Sequence, residues 1–127
     1  MDADIHSCLS AKRWGGLPEQ YYPVHAWFDE SKGFYANFRH RALRHHTEGI
    51  LQAIKLFGPV LKIGRRRVSV RIIAESHILE DLGWLPTVED WLCNIRSQRW
   101  MMRGAEARQQ VVNLNRQAKK KTCRTQQ

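Results

Sequence analysis

Apolar residues recur at three- and four-residue intervals through most of the chain, and that spacing predicts helices. Over 4–14, Ile5, Cys8, Leu9 and Lys12 keep helical spacing, and the pair Gly15-Gly16 stops it. Pro18-Glu19-Gln20 opens a turn or short helix, and 24–29 forms another short helix after Pro23, broken by Ser31, Lys32 and Gly33. The strongest helical pattern runs over 34–57. Phe38, Ala42, Leu43, Gly49, Ile50, Ala53, Ile54, Leu56 and Phe57 share one side, Asn37, Arg41, Arg44, Glu48 and Lys55 the other, and Gly58-Pro59 ends it.

A switch to β-branched, partly alternating residues over 60–63 and 68–73 predicts a hairpin, with Gly64-Arg65-Arg66-Arg67 as its link. A helix follows over 75–82 and ends at Gly83. Another begins after Pro86, with Thr87 as N-cap and Asp90 as its capping-box partner, and runs to about Ile95. The stretch 105–121 is helix-permissive but strongly polar, a solvated helix or frayed tail. No internal repeat occurs. The fold class expected is α+β: a mainly helical single domain over 1–102 with one long central helix and a small β-hairpin, then a basic C-terminal tail over 103–127.

Composition narrows this picture. At 127 residues, 43% of them hydrophobic and five of them tryptophan, the chain suits one folded domain with a core of its own. The tryptophans Trp84, Trp91 and Trp100 are expected to wrap the C-terminal part onto the long helix. No stretch has the apolar length of a membrane span, and the N-terminal residues have no apolar core of a secretory signal. Cys8, Cys93 and Cys123 are odd in number and without zinc-finger spacing, which reads as free thiols in a cytoplasmic protein. The net charge of +9 is concentrated at the end: seven basic residues from Arg103 onward face Glu106 alone. This distribution makes nucleic acid or another anionic molecule an expected partner, through Lys119, Lys120 and Lys121 and through the hairpin run Arg65, Arg66 and Arg67. A homo-oligomer is a further expectation, and a membrane partner is not.

The chemistry lies in the histidines. On the wheel of the long helix, Arg39 and His46 fall inside the apolar arc, where an arginine needs a carboxylate from elsewhere; Asp29, Glu75 and Asp81 are the candidates. His25 and Asp29 stand four residues apart, so both point to one side of a helix, and His77 and Asp81 repeat the relation. His40 and His45 lie at the edges of the apolar arc, and His6 on the first helix. Imidazole with carboxylate is the donor set of zinc, manganese, nickel or iron, and also the usual pairing for acid–base work. The expected metal ligands are His25, Asp29, His46 and His77; His46, Arg39 and Arg44 are the expected catalytic or anion-binding groups.

The blocks SAKRWGGLPEQYYPVHAWFDESK, FRHRALRHHTEGI and VRIIAESHILEDLGWLPTVEDWL resemble a family of small, histidine-rich bacterial and phage proteins of unknown function. Its pattern has H-x-WFDESK, FRHRALRHH-x-EGI and E-x-H-x-x-EDLG blocks, and the resemblance spans roughly 6–102. It implies that His6, His25, Asp29, Arg39, His40, Arg44, His45, His46, Glu48, Glu75, His77 and Asp81 are the family's typical residues. The chain departs from it in the hairpin link, where GRRR replaces a longer turn, and at Ala26, where an acidic residue is expected. The resemblance implies no activity.

Three readings follow from the residues. The first is a metal- or His/carboxylate-dependent hydrolase acting on a phosphoester, a nucleotide or nucleic acid. The second is a non-enzymatic module that grips nucleic acid or an acidic partner, with the histidines structural. In the third the histidines form a polar core needed for folding alone, and His46→Leu is tolerated. No HExxH, GxSxG or P-loop signature accompanies the first.

Overall fold

The computed structural model describes residues 1–125, apart from the side chains of 106, 107 and 121–125. The chain divides into two units, Met1–Asn94 and Ile95–Gln127.

In the first unit, α1 (Ala3–Trp14) and α2 (Pro18–Asp29) form a helical hairpin across Gly15-Gly16. Both glycines have positive φ, 88° and 79°, and a Cβ on Gly16 would collide with Ile63, so the turn requires glycine here. Helix α2 runs unbroken through Pro23, where two short segments were expected. The proline forfeits one bond, to the Glu19 carbonyl. Both residues are exposed, so the carbonyl is left open to solvent and not stranded in the core.

The long helix expected over 34–57 does not form as one piece. The chain passes through 3-10 turns at Glu30–Gly33 and Phe38–His40 into a single turn, α3 (Arg41–Arg44). It breaks at His45 and resumes as α4 (Thr47–Phe57). Two side chains make the breaks. Asn37 accepts from the Arg39 N–H at 3.0 Å, and His46, in extended conformation, caps α4 by accepting the Gly49 N–H on Nδ1 at 3.0 Å. Gly49 is fixed by the same geometry, because a Cβ there would collide with the Arg44 carbonyl.

Strands β1 (Val60–Ile63) and β2 (Arg66–Ser69) pair antiparallel, with Val60 opposite Ser69 and Ile63 opposite Arg66. Gly64, at φ 61°, makes the turn. The second strand stops at Ser69, four residues short of expectation, and α5 (Val70–Leu82) takes Val70–Ile73 instead. Tertiary packing overrides β propensity here. In a helix, Val70, Ile73, Ala74, His77, Ile78 and Asp81 fall on one face, and all but Asp81 are buried as whole residues. Helix α6 (Val88–Leu92) has the expected Thr87/Asp90 capping box and ends at Leu92, short of Ile95.

Tyr21, Val24 and Phe28 of α2, Ile50 and Ala53 of α4, Ile63 and Val68 of the hairpin, and Val70, Ile73, Ala74 and Ile78 of α5 make the core. Each large member adds about 1.5–3 kcal/mol by leaving water. Trp91 is half-buried, its indole N–H donating to the His45 carbonyl at 3.0 Å, while Trp84 is exposed. The second unit holds a 3-10 turn, Arg99–Met102, and α7 (Arg103–Thr125), with Trp100 exposed. No described helix is long and apolar enough to cross a membrane.

Candidate metal centre

The apolar faces of α2 and α5 turn polar at their C-terminal ends. On α2 the buried series Tyr21, Val24, Phe28 includes His25 and ends in Asp29; on α5 the series Val70, Ile73, Ala74 continues to His77 and Asp81. Helix α1 brings His6 and Ser10, four residues apart, to the same place. The break between α3 and α4 inserts His45. His6, His25, His45 and His77 are all fully buried, and the Asp81 side chain is 1% exposed.

Four donor atoms face one another. His45 Nε2 lies 3.1 Å from His77 Nε2, 3.0 Å from Asp81 Oδ2 and 3.8 Å from Asp29 Oδ1. His77 Nε2 lies 3.5 Å from Asp29 Oδ1 and 3.5 Å from Asp81 Oδ2. Metal–ligand bonds of about 2.0–2.1 Å in a tetrahedron place the ligand atoms roughly 3.3 Å apart. The cage therefore has the spacing a first-row transition ion needs, with a mixed imidazole and carboxylate donor set. A second group, His6, His25 and His77, meets the same spacing condition and shares His77 with the first.

Several buried polar atoms in and around the cage have no hydrogen-bond partner among the described residues. Neither oxygen of Asp29 accepts a hydrogen bond among the described residues, and His6 Nε2, His40 Nε2, His45 Nδ1 and Arg41 Nε are also buried without one. Unmet buried polar atoms are rare in folded proteins. Cations lie just outside. Lys32 Nζ is 3.3 Å from Asp29 Oδ2. The Met1 ammonium and Arg41 stand 2.9 and 3.7 Å from Asp81 Oδ1. His6 bonds Glu80 through Nδ1 and turns Nε2 to Asp81 Oδ1 at 3.3 Å.

Protonation equilibria follow from this packing. Burial, then the neighbouring His77 and His6, push His25 down to about 3. Burial takes His77 down to about 4 against the pull of Asp29, and also lowers His45 against Asp81. His6 moves up, because Asp81 and Glu80 outweigh its burial. Burial alone would raise both aspartates. The imidazoles beside them, with Lys32 at Asp29 and the terminal ammonium at Asp81, outweigh it and hold both below the usual carboxylate range. At neutral pH the cage presents bare imidazoles and two carboxylates, the forms that bind metal.

Of the expected ligands, Asp29 and His77 stand in the four-atom cage. His25 touches it from behind, its Nδ1 on His77 Nδ1 at 3.0 Å. His46 lies outside, with both nitrogens occupied: Nδ1 caps Gly49, and Nε2 donates to the Leu43 carbonyl at 3.1 Å. Arg39 is exposed, not inward-facing, because the wheel phase that placed it inside is lost at the breaks in 34–57. Arg44 stacks on Trp27, 4.3 Å from the ring centre, and bonds the Trp27 carbonyl and Glu30, so it serves as a brace on α2. Arg65, Arg67, Lys119 and Lys120 are exposed; Arg66 is exposed and bonds the Trp14 carbonyl at 3.0 Å; the Lys121 side chain lies outside the described residues.

Sequence reasoning left His45 and Asp81 out of the ligand set. Asp81 had a usable signal, since it sits one turn after His77 on the face of Val70 and Ile73. Periodicity gave His45 no inward place, because its position depends on the break beside it. No curated protein and no solved structure matches the chain. Residues 1–101 match the model of a family described as a domain of unknown function (DUF6915), which takes in every residue of the cage, and the chain belongs to that family.

Proposed function

We propose that the protein is a divalent-metal-dependent hydrolase of phosphoesters, with His45, His77, Asp29 and Asp81 as ligands. The observation that carries this reading is the five separations of 3.0–3.8 Å among the four donor atoms, set beside an Asp29 carboxylate that no described group hydrogen-bonds. Zinc, manganese, nickel and iron all accept such donors. An ion that takes water as a fifth ligand beside these four would acidify that water and polarise a phosphoryl oxygen in its place.

The choice of an anionic substrate follows from charge. A divalent ion cancels Asp29 and Asp81, which leaves the positive charges of Lys32 and Arg41 without their partners beside the ion. Arg41 keeps a buried Nε–H that no described group accepts. Its fork matches phosphate oxygens, so Arg41 binds substrate in this reading, the role first expected of Arg39 and Arg44. The thiols of Cys8 and Cys93 are free, in keeping with a cytoplasmic location.

The test is turnover of p-nitrophenyl phosphate and of bis(p-nitrophenyl) phosphate by full-length protein loaded with each of the four metals. Expected is activity that chelator removes, and an Arg41→Gln variant with KM raised about tenfold or more. Absence of turnover with every metal on both esters rejects the hydrolase reading.

A second reading concerns α7. Arg103, Arg108, Arg116, Lys119 and Lys120 are all exposed on this one helix, which suits contact with nucleic-acid phosphates. If they bind duplex DNA, affinity falls by a factor of 10² or more between 50 and 200 mM salt, measured by fluorescence anisotropy. A flat salt response counts against it.

A further inference from the structure

Between α2 and α3 the chain runs through two 3-10 turns with a short irregular stretch between them. Ser31 Oγ donates to the His40 carbonyl at 3.1 Å and ties the ends of this loop together. The Phe34 and Tyr35 N–H groups both donate to the Ser31 carbonyl, at 3.0 and 3.2 Å, and Asn37 accepts from the Arg39 N–H at 3.0 Å. The backbone is thus held by its own hydrogen bonds, yet the large side chains are not folded in. Phe34 is 83% exposed, Phe38 65% and Tyr35 54%. Aromatic rings crowded into so short a stretch and left in water mark a contact surface.

The ends of the loop reach the cage. Lys32 Nζ lies 3.3 Å from Asp29 Oδ2, His40 Nε2 3.8 Å from Asp29 Oδ1, and Arg41 Nη2 3.7 Å from Asp81 Oδ1. Charge marks the same stretch: residues 31–44 include Lys32, Arg39, Arg41 and Arg44 and no aspartate or glutamate. The Arg41 N–H donates to the Phe38 carbonyl across the second turn. Residues three apart in a 3-10 turn eclipse one another about 6 Å apart. The Phe38 ring therefore stands within one nucleotide's reach of the guanidinium assigned to phosphate.

We infer that the loop 33–39 is a stacking platform for the bases of single-stranded nucleic acid, which makes the substrate a phosphodiester of such a strand. Cleavage of that strand at the cage rests on the hydrolase reading; its binding by the loop does not. Flat rings take any base on their faces, and cations between them take the phosphates. Arg39, exposed beside Phe38, and Lys32 at the start of the loop supply those cations. A strand offers phosphates and π-faces in alternation, and residues 32–41 offer cations and rings in alternation. A duplex does not fit this mode, because its bases are already stacked on one another. An anionic bilayer would take the rings, but its flat surface would not reach Arg41, whose side chain is largely buried beside Asp81.

Fluorescence anisotropy of a labelled oligothymidine of about twelve nucleotides, with the full chain in chelator, tests the platform without any metal. The comparison strand has the same phosphates and abasic sugars. Expected is an affinity for oligothymidine at least about fivefold above that for the abasic strand. Phe34→Ala and Phe38→Ala should each weaken oligothymidine by about 5- to 150-fold and leave the abasic strand within a few-fold. Phe38→Trp should keep the affinity, and Phe38→Leu, apolar but without a π-face, should lose as much as alanine. The substituted residues are exposed, so every variant should keep the wild-type Tm. Equal affinity for the two strands overturns the platform, since phosphate contacts alone, such as those of α7, would give it. Ring variants without effect overturn it, as does a leucine variant that binds like wild type or an oligothymidine that does not bind. Phosphatidylserine vesicles released by the two alanine variants while oligothymidine stays bound would assign the loop to a membrane and overturn it too. Turnover separates this surface from the cage. If the rings govern binding and no metal supports hydrolysis, the platform stands and the hydrolase reading falls. If metal-loaded protein cleaves bis(p-nitrophenyl) phosphate and the rings do nothing for oligothymidine, the hydrolase reading stands and the platform falls.

Discussion

In the presence of chelator, the protein is expected to lose about 3–5 kcal/mol of folding stability between pH 7 and pH 4.5, before its carboxylates titrate. The cause is the pair His25 and His77. Both are buried and neutral in the folded chain, at about 3 and about 4, against about 6.5 when unfolded. Depressed folded values mean that the unfolded chain binds more protons across this window, so stability rises with pH. Their contribution is complete above 6.5 and is lost as pH falls toward the folded values. Each unit of difference is worth about 1.4 kcal/mol, and a typical domain has only about 5–15 in total. His45 shifts the same way. His6 works in the opposite sense: its raised value contributes stability present below 6.5 and lost as pH rises through the folded value, which softens the slope. Asp29 and Asp81, both depressed, hold their contribution until pH falls below the ordinary carboxylate range, so they deepen the loss only later. Urea unfolding followed by tryptophan fluorescence at pH 7, 6, 5 and 4.5 measures the effect. A midpoint that does not move between pH 7 and pH 4.5 would contradict the packing of these two imidazoles.

That packing was partly legible in the sequence. Helical spacing puts His25 with Asp29, and His77 with Asp81, on common faces, and the helices exist where the spacing requires. What periodicity cannot supply is the break between α3 and α4. A wheel drawn over 34–57 assumes a constant 100° step, and that step fails at His45–His46. Arg39, Leu43 and His46 therefore received positions belonging to a helix that does not form. A local cue was present: His46 stands three residues before Gly49, the spacing of a side-chain N-cap to the N–H it receives. The second strand ended early for a related reason. Val70, Arg71, Ile72 and Ile73 read as β by composition, yet the 70, 73, 74, 77, 78 series is helical and continues into the cage. Pairing of His6 and His45 with Asp81 spans 75 and 36 residues of chain, a matter of tertiary structure that no local pattern encodes.

Neutralising each cage aspartate separates a role in metal binding from a role in folding. At zinc about a thousandfold above its dissociation constant, the wild-type chain is expected to gain about 4 kcal/mol. That raises Tm by roughly 10 °C or more for a domain of this size. Asp29→Asn and Asp81→Asn each remove a charged ligand, and each should abolish most of that gain, with affinity reduced about 100-fold or more. In the metal-free protein the two should differ. The Asp81 carboxylate accepts from His45 and lies beside His6, Arg41 and the Met1 ammonium, so its loss strands buried donors and costs about 3 kcal/mol or more. Asp29 accepts no hydrogen bond; its nearest cation, Lys32, is half-exposed, and its loss should cost the empty chain much less. Calorimetric Tm values with zinc and with chelator, for wild type and both variants, give the comparison. A carboxylate kept only for folding would weaken the empty chain and leave the zinc shift intact. Should Asp29→Asn behave that way, the four-atom cage is a hydrogen-bonded core and not a metal centre.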